Sequence, residues 1–353
     1  MSNTSKPAER AADLTFVRHV FIVVAIGALV AAVWALSDIL LMLFGAVLVA
    51  VILNALAAAI ERHLNIGWGP AMALAGIAIV LVLAAAAIFL GPQLVAQMSN
   101  LFKALPEASN RLAGFFNLGS LAELLKDGTT ASALGNLATR IVAWSSTVVG
   151  AVGSLLLILF GGIYLAIDPK LYREGLIKLI PPPLQPNARA TLDDAGTALK
   201  RWLVGQLLAM VLVGVFTSLG LWLAGVPSAF ALGLIAGLAE FVPIIGPILA
   251  AVPAILIAST QDLQTVLLTI AVFVVVQQVE SNLIAPLIAD RMVSIAPVVG
   301  LFGVVAAGVV FGPLGLLLGF PLAIVFDIAV RRLYVRDTLG ERVEILGKPA
   351  KPS

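Results

Sequence analysis

Residues 229–258 read AFALGLIAGLAEFVPIIGPILAAVPAILIA, an apolar run interrupted at Phe241-Val-Pro-Ile-Ile-Gly-Pro247. A helix rises about 1.5 Å per residue and a membrane span needs about 20 apolar residues, so this run is too long for one straight crossing. The two prolines of the interruption remove amide donors and break the helix. Hydrocarbon offers no partners to the backbone groups so freed; irregular backbone at that depth is tolerated only inside protein or beside a water-filled hollow. Residues 297–330 form a second overlong run, broken at Phe311-Gly312-Pro313. Two broken apolar segments in one half of a chain point to the binding site of a secondary transporter.

The rest of the chain agrees with a membrane setting. Of 353 residues, 61% are hydrophobic and 11% charged, whereas a soluble domain carries about 25% charged residues. The expected fold class is an all-α polytopic membrane protein. Further apolar runs cover residues 19–36, 39–60, 70–90, 148–167, 203–224 and 265–289. With the two broken runs they make about eight hydrophobic segments. Only Ser37-Asp38 separates the first two, and a turn is expected there.

The net charge is +2 and the basic residues are clustered between apolar runs, a topology pattern and not a nucleic-acid footprint. The clusters are Lys6, Arg10 and Arg18; Arg62 and His63; Lys170, Arg173, Lys178, Arg189, Lys200 and Arg201; and Arg331, Arg332 and Arg336. Counting spans puts all four on one face. The positive-inside rule makes that face, and both termini, cytoplasmic. Residues 91–147 are then external. Leu94, Met98, Leu101, Leu105, Leu112 and Phe115 recur there at near-helical spacing, as in amphipathic helices packed against the spans. The chain divides into spans one to three (1–90), the external segment (91–147), the fourth span with a proline-rich, amphipathic linker (148–202), a core with the broken helices (203–330) and a cytoplasmic tail (331–353).

The broken segments alternate with single spans. If each folds as a hairpin, the first enters from outside and the second from inside, and residues 203–258 and 264–330 form an inverted repeat. The alternative is one kinked span per segment. Glu240 stands just before the first break and Glu280 lies inside the next apolar run. An ionised carboxylate at mid-bilayer costs about 2.5–3.5 kcal/mol even on the gentlest scale, so such groups face the bundle interior and mark ion or substrate paths. Each is a candidate proton carrier; the structural alternative is a hydrogen-bonded carboxyl that joins helices. Gln277, Gln278, Ser281 and Asn282 surround Glu280 with a polar patch, and Gln206 is a lone amide in the fifth span. Pro243, Gly246, Pro247, Pro286, Gly312 and Pro313 shape the backbone at the breaks. Trp202, near a span end, reads as an interfacial anchor.

Several chemistries are excluded. The chain has no cysteine, which removes disulfides and thiolate catalysis. It has no GxxxxGK[ST] loop for ATP and no HExxH; its histidines are His19 and His63, near span ends. No enzyme activity, metal or cofactor is expected.

The second half resembles the AI-2E (autoinducer-2 exporter) family of transporters. The residues that carry the resemblance are Glu240-Phe-Val-Pro-Ile-Ile-Gly-Pro247, Ala251-Val-Pro253, Val276-Gln-Gln-Val-Glu-Ser-Asn282, Pro286, Pro297, Gly312-Pro-Leu-Gly315 and Gly319-Phe-Pro321, with Leu203-Val-Gly-Gln206 before them. Ala285-Pro286-Leu287 departs from relatives that carry Gln-Pro and a basic residue there. The resemblance implies a bacterial inner-membrane secondary transporter, homo-oligomeric, that exports a small polar solute such as autoinducer-2. Protons or Na⁺ are the coupling ions to test. The rival readings are a Na⁺/H⁺ antiporter using the same carboxylates and a non-transporting membrane scaffold.

Overall fold

A computed structural model of the chain describes residues 31–82, 153–284 and 296–336, with isolated positions at 24, 27, 28, 84 and 88. Among the described residues all regular structure is helical. We number the helices α1 (Ser37–Leu64), α2 (Trp68–Val82), α3 (Gly153–Ile167), α4 (Pro169–Lys178), α5 (Gln185–Leu223), α6 (Ala229–Ala239), α7 (Ile245–Ala258), α8 (Leu263–Val279) and α9 (Pro297–Ala329). Short π-helical turns, Glu280–Ile284 and Val330–Arg336, follow α8 and α9.

Four helices, α1, α5, α8 and α9, are long and apolar enough to cross a membrane, and α3 with α4, bent by 90° between them, makes a fifth candidate. The fold is that of a multi-pass integral membrane protein. The segment 91–147, expected to be external, the amino-terminal basic cluster and the tail beyond Arg336 lie outside the described residues.

The turn expected at Ser37-Asp38 falls one residue earlier: Leu36 interrupts the helix at φ −97°, ψ 5°, and α1 begins at Ser37. Leu36 N–H bonds to the Ala32 carbonyl at 3.0 Å, ending one helical stretch, and the Leu36 carbonyl accepts the first bond of α1 from Leu40 N–H at 2.9 Å. A polar pair in an apolar run looks like a loop, but Ser and Asp sit well in the first turn of a helix, where amide donors lack partners. Most of residues 19–30 lie outside the described residues, so the path of the first run is not described.

The axis of the molecule is α5. It starts with Pro186 in its first turn, where a missing amide costs nothing. It ends in a Schellman turn: Val226 N–H bonds to Leu221 O and Gly225 N–H to Trp222 O, with Gly225 at φ 74°. Leu221 and Val226 meet in the buried cluster that usually accompanies this motif.

The chain then folds back twice. Ala229 and Leu232, at the start of α6, share a buried cluster with Ala254 and Ala258, at the end of α7. A straight continuation would set residues 229 and 258 about 40 Å apart, so α6 and α7 are the arms of a hairpin. The second case is α9, two helical arms that meet at Gly312, which stands at φ 68°, ψ −148°. A Cβ on Gly300 would lie 2.6 Å from the Phe320 ring, and one on Gly319 would lie 2.7 Å from Val304 Cα. In a straight helix residues 300 and 320 would be about 30 Å apart. Of the two possibilities open in the sequence, hairpin and kinked span, the described geometry is the hairpin in both segments.

Both hairpins dock on α5. Gly237 packs on Met210 and Gly214, so α6 runs antiparallel to α5 and its tip reaches the middle of that helix. The returning arm of α9 also runs antiparallel to α5. Phe320 lies on Trp202, Ile324 and Ile328 cluster with Ala195 and Ala198, and Arg332 pairs with Asp194. The hairpins thus open toward opposite ends of α5, and their tips approach it near Trp202. At the amino-terminal end of α5, α4 is held by ion pairs from Arg173 to Asp193 and from Arg189 to Glu174.

Candidate functional site

The tip of the first hairpin is built by residues 240–246. Helix α6 ends at Ala239, and the freed carbonyl of Glu240 accepts a hydrogen bond from Gln206 Nε2 on α5 at 2.5 Å. Pro243 O accepts from Ile245 N–H at 2.8 Å, closing a γ-turn around Ile244 at φ 70°, ψ −54°. A β-branched residue at positive φ is strained, by about 1–3 kcal/mol. A second bond, from Gly246 N–H to the Val242 carbonyl at 2.9 Å, closes over the turn. Gly246 contributes by close approach: a Cβ there would run into the carbonyl of Ala239. Pro247 falls in the first turn of α7, where proline fits.

The second tip is simpler. Gly312 takes a backbone region that is almost exclusive to glycine, and Pro313 starts the returning arm with its fixed φ. The Gly-Pro order is required, because the residue before proline is excluded from the helical region.

Glu240 is 1% exposed, and its Oε2 has no hydrogen-bond partner among protein atoms. Its carboxyl faces that of Glu280, within side-chain hydrogen-bond reach. Glu280 opens the π-helical turn that follows α8 and accepts from Gln277 Nε2 at 2.5 Å. The turn widens the backbone where the two carboxyls meet. Gln278 and Asn282 are exposed and bonded to each other, Asn282 Nδ2 donating to Gln278 Oε1 at 2.9 Å. Exposure thus rises from buried Glu240 through half-buried Glu280 and Gln277 to exposed Asn282. The structure brings Glu240, Glu280, Gln277 and Gln206 into one constellation. Gln278 and Asn282 border it, Gly312 and Pro313 form the other tip, and Pro286 lies outside the described residues.

A further cavity lies elsewhere. It measures about 800 Å³, opens between α5 and α6, and is lined by Leu207, Val211, Val215, Phe230 and Leu234, with no ionisable residue. It is an apolar groove and not the polar site.

Two features escaped the sequence reading. Trp202 is no interfacial anchor: it is 1% exposed, edge-on to Phe241 at 5.7 Å between ring centroids and stacked on Phe320 at 5.5 Å. Its spacing of four residues from Gln206 put both on one helix face, and that signal was present. The pair Asp194–Arg332 joins residues far apart in the chain, with both side chains about nine-tenths buried. No sequence pattern announces it.

The hairpin tips and the paired carboxyls are the setting for comparison with known proteins. The model of the AI-2E family transporter matches residues 21–334. The chain belongs to the AI-2E transporter family. Among relatives of this AI-2E family member, YueF of Bacillus subtilis, whose name proposes a transport role, is 26% identical over 281 residues, 74% of this chain and 76% of that protein. TqsA of Escherichia coli K12, named an AI-2 transport protein, is 23% identical over 302 residues, covering 81% and 84%. YrrI of B. subtilis reaches 32% identity over 165 residues, and the match spans 47% of either protein. The AI-2E family member is therefore placed among transport proteins, a class that moves small solutes.

Proposed function

We propose that this AI-2E family member is a secondary transporter that exports a small polar metabolite of the autoinducer-2 type by alternating access, with protons as the coupling ion. The observation that carries the reading is the meeting of Glu240 and Glu280 at a hairpin tip, with one buried oxygen of Glu240 left without a partner. Two bare carboxylates at that range repel, so the pair needs a proton or a cation between them in one state and can release it in another. Gln277, Gln278 and Asn282 supply amide donors and acceptors to a hydroxyl-rich solute. Pro243, Gly246, Pro247, Gly312 and Pro313 keep the backbone irregular where the solute passes.

In this reading the two hairpins are re-entrant. Residues 203–258 and 264–330 act as an inverted repeat and rock against residues 1–202. The chain sits in the bacterial inner membrane as a homo-oligomer. Its basic clusters, the termini included, face the cytoplasm. The name of TqsA supports autoinducer-2 as the first solute to try.

Counterflow in proteoliposomes tests the proposal. Autoinducer-2 and a panel of small polyols are offered, and saturable flux that collapses in Glu280→Gln is expected. Absence of saturable flux for every solute overturns it. The acidic character of the pair favours a second reading, monovalent cation/proton antiport. A pH-sensitive dye that responds to Na⁺ pulses, with no metabolite flux, selects that reading.

A further inference from the structure

One turn of α5 touches both hairpins. Trp202 is edge-on to Phe241 in the first tip and stacked on Phe320 in the returning arm of the second. Four residues on, Gln206 holds the carbonyl of Glu240. All of this is buried: Trp202 is 1% and Gln206 2% exposed. Phe241 and Phe311 pack against the same cluster, so both tips rest on it. Phe241 follows Glu240 in the chain, so a backbone shift of the tip carries both the carboxyl and the ring that leans on Trp202.

We propose that Trp202 is a positioning residue that couples the hairpins: it fixes the register of one tip against the opposing arm, so that neither moves without the other. This deepens the transport reading, since alternating access by two opposed hairpins requires that they move together. An indole suits the role. It offers two large rigid faces with only two side-chain torsions, so displacement on one side is carried to the other instead of being absorbed. Aromatic pairs of this geometry also prefer discrete arrangements, which gives the joint defined positions.

The chain has no cysteine, so spin labels can be placed without background. Ile244→Cys, in the first tip, and Leu317→Cys, in the returning arm, are both at exposed positions, 45% and 42%. Pulsed electron–electron resonance between them reads the register of the two hairpins. A single distance population is expected in the native background and in Trp202→Phe. In Trp202→Leu, and separately in Phe320→Leu, a second population should appear, because the two bodies then move independently. Leu221→Ala, equally buried but at the far end of α5, is the packing control and should keep one population while lowering the melting midpoint. In the same protein, reconstituted, Trp202→Leu should lower maximal flux by about tenfold with an unchanged half-saturating solute concentration. Trp202→Phe should restore it.

A single population in both leucine variants overturns the coupling role, and so does equal broadening in Leu221→Ala. Independent motion with native flux intact also defeats it while leaving the transport reading standing. Absent flux with the joint motion preserved defeats the transport reading alone.

Discussion

Gln206 and Glu240 are joined across two helices by a hydrogen bond from a side-chain amide to a main-chain carbonyl, at 2.5 Å. The bond satisfies a backbone oxygen that the end of α6 leaves without a helical partner. Gln206→Leu keeps the size of the side chain and removes the donor. The buried carbonyl is then orphaned, at a cost of about 1–3 kcal/mol. A lower melting midpoint in detergent and faster proteolysis near the first tip are expected. An unchanged midpoint would mean that water reaches the carbonyl.

The paired carboxyls should behave as one unit. Glu240→Gln and Glu280→Gln each remove one member, and each should abolish the dependence of flux on a proton gradient. The double variant should be no worse than either, because groups acting through one shared proton are not additive. Additive losses in a flux assay would separate the two residues into independent roles.

The second tip depends on a glycine. Gly312 stands at φ 68°, ψ −148°, where a side chain is strained. Gly312→Ala should cost about 1–3 kcal/mol, read as a loss of melting midpoint and of flux together. Pro313→Ala is the control, since the position needs a fixed φ and not a special one; it should be milder.

Outside the apolar helices, two carboxylates tie stability to pH. Asp262 caps α8 by accepting from Thr265 N–H at 2.7 Å, and this bond holds its carboxyl below the usual range. The Arg189 guanidinium, bonded to Glu174, does the same for that side chain. A carboxyl lowered in the folded state adds stability that is complete above its unfolded value and is lost as pH falls through the folded one. The melting midpoint should therefore decline on acidification below about pH 4. Asp262→Asn keeps a capping oxygen without the charge and should flatten part of that decline. Identical profiles for both proteins would remove Asp262 from the account.

The residue types at the breaks were readable because they act locally. Pro243, Pro247 and Pro313 lack an amide donor wherever they stand, and Gly312 marks a backbone that other residues avoid. The carboxyls Glu240 and Glu280 were legible for a similar reason: charge in an apolar run is costly unless it has a use. The polar pair Ser37-Asp38 marked its junction to within one residue: the break is at Leu36, and the pair forms the first turn of the helix that follows.

Sequence alone determined that the chain is apolar, helical and twice broken, because hydrophobicity, amide donors and allowed φ are properties of single residues and their neighbours. Whether each broken run bends or folds back, which carboxyl meets which, and that Trp202 lies between two hairpins were decided only by tertiary structure. Those facts are contacts between residues tens of positions apart, and they follow from how whole helices share one buried surface along α5.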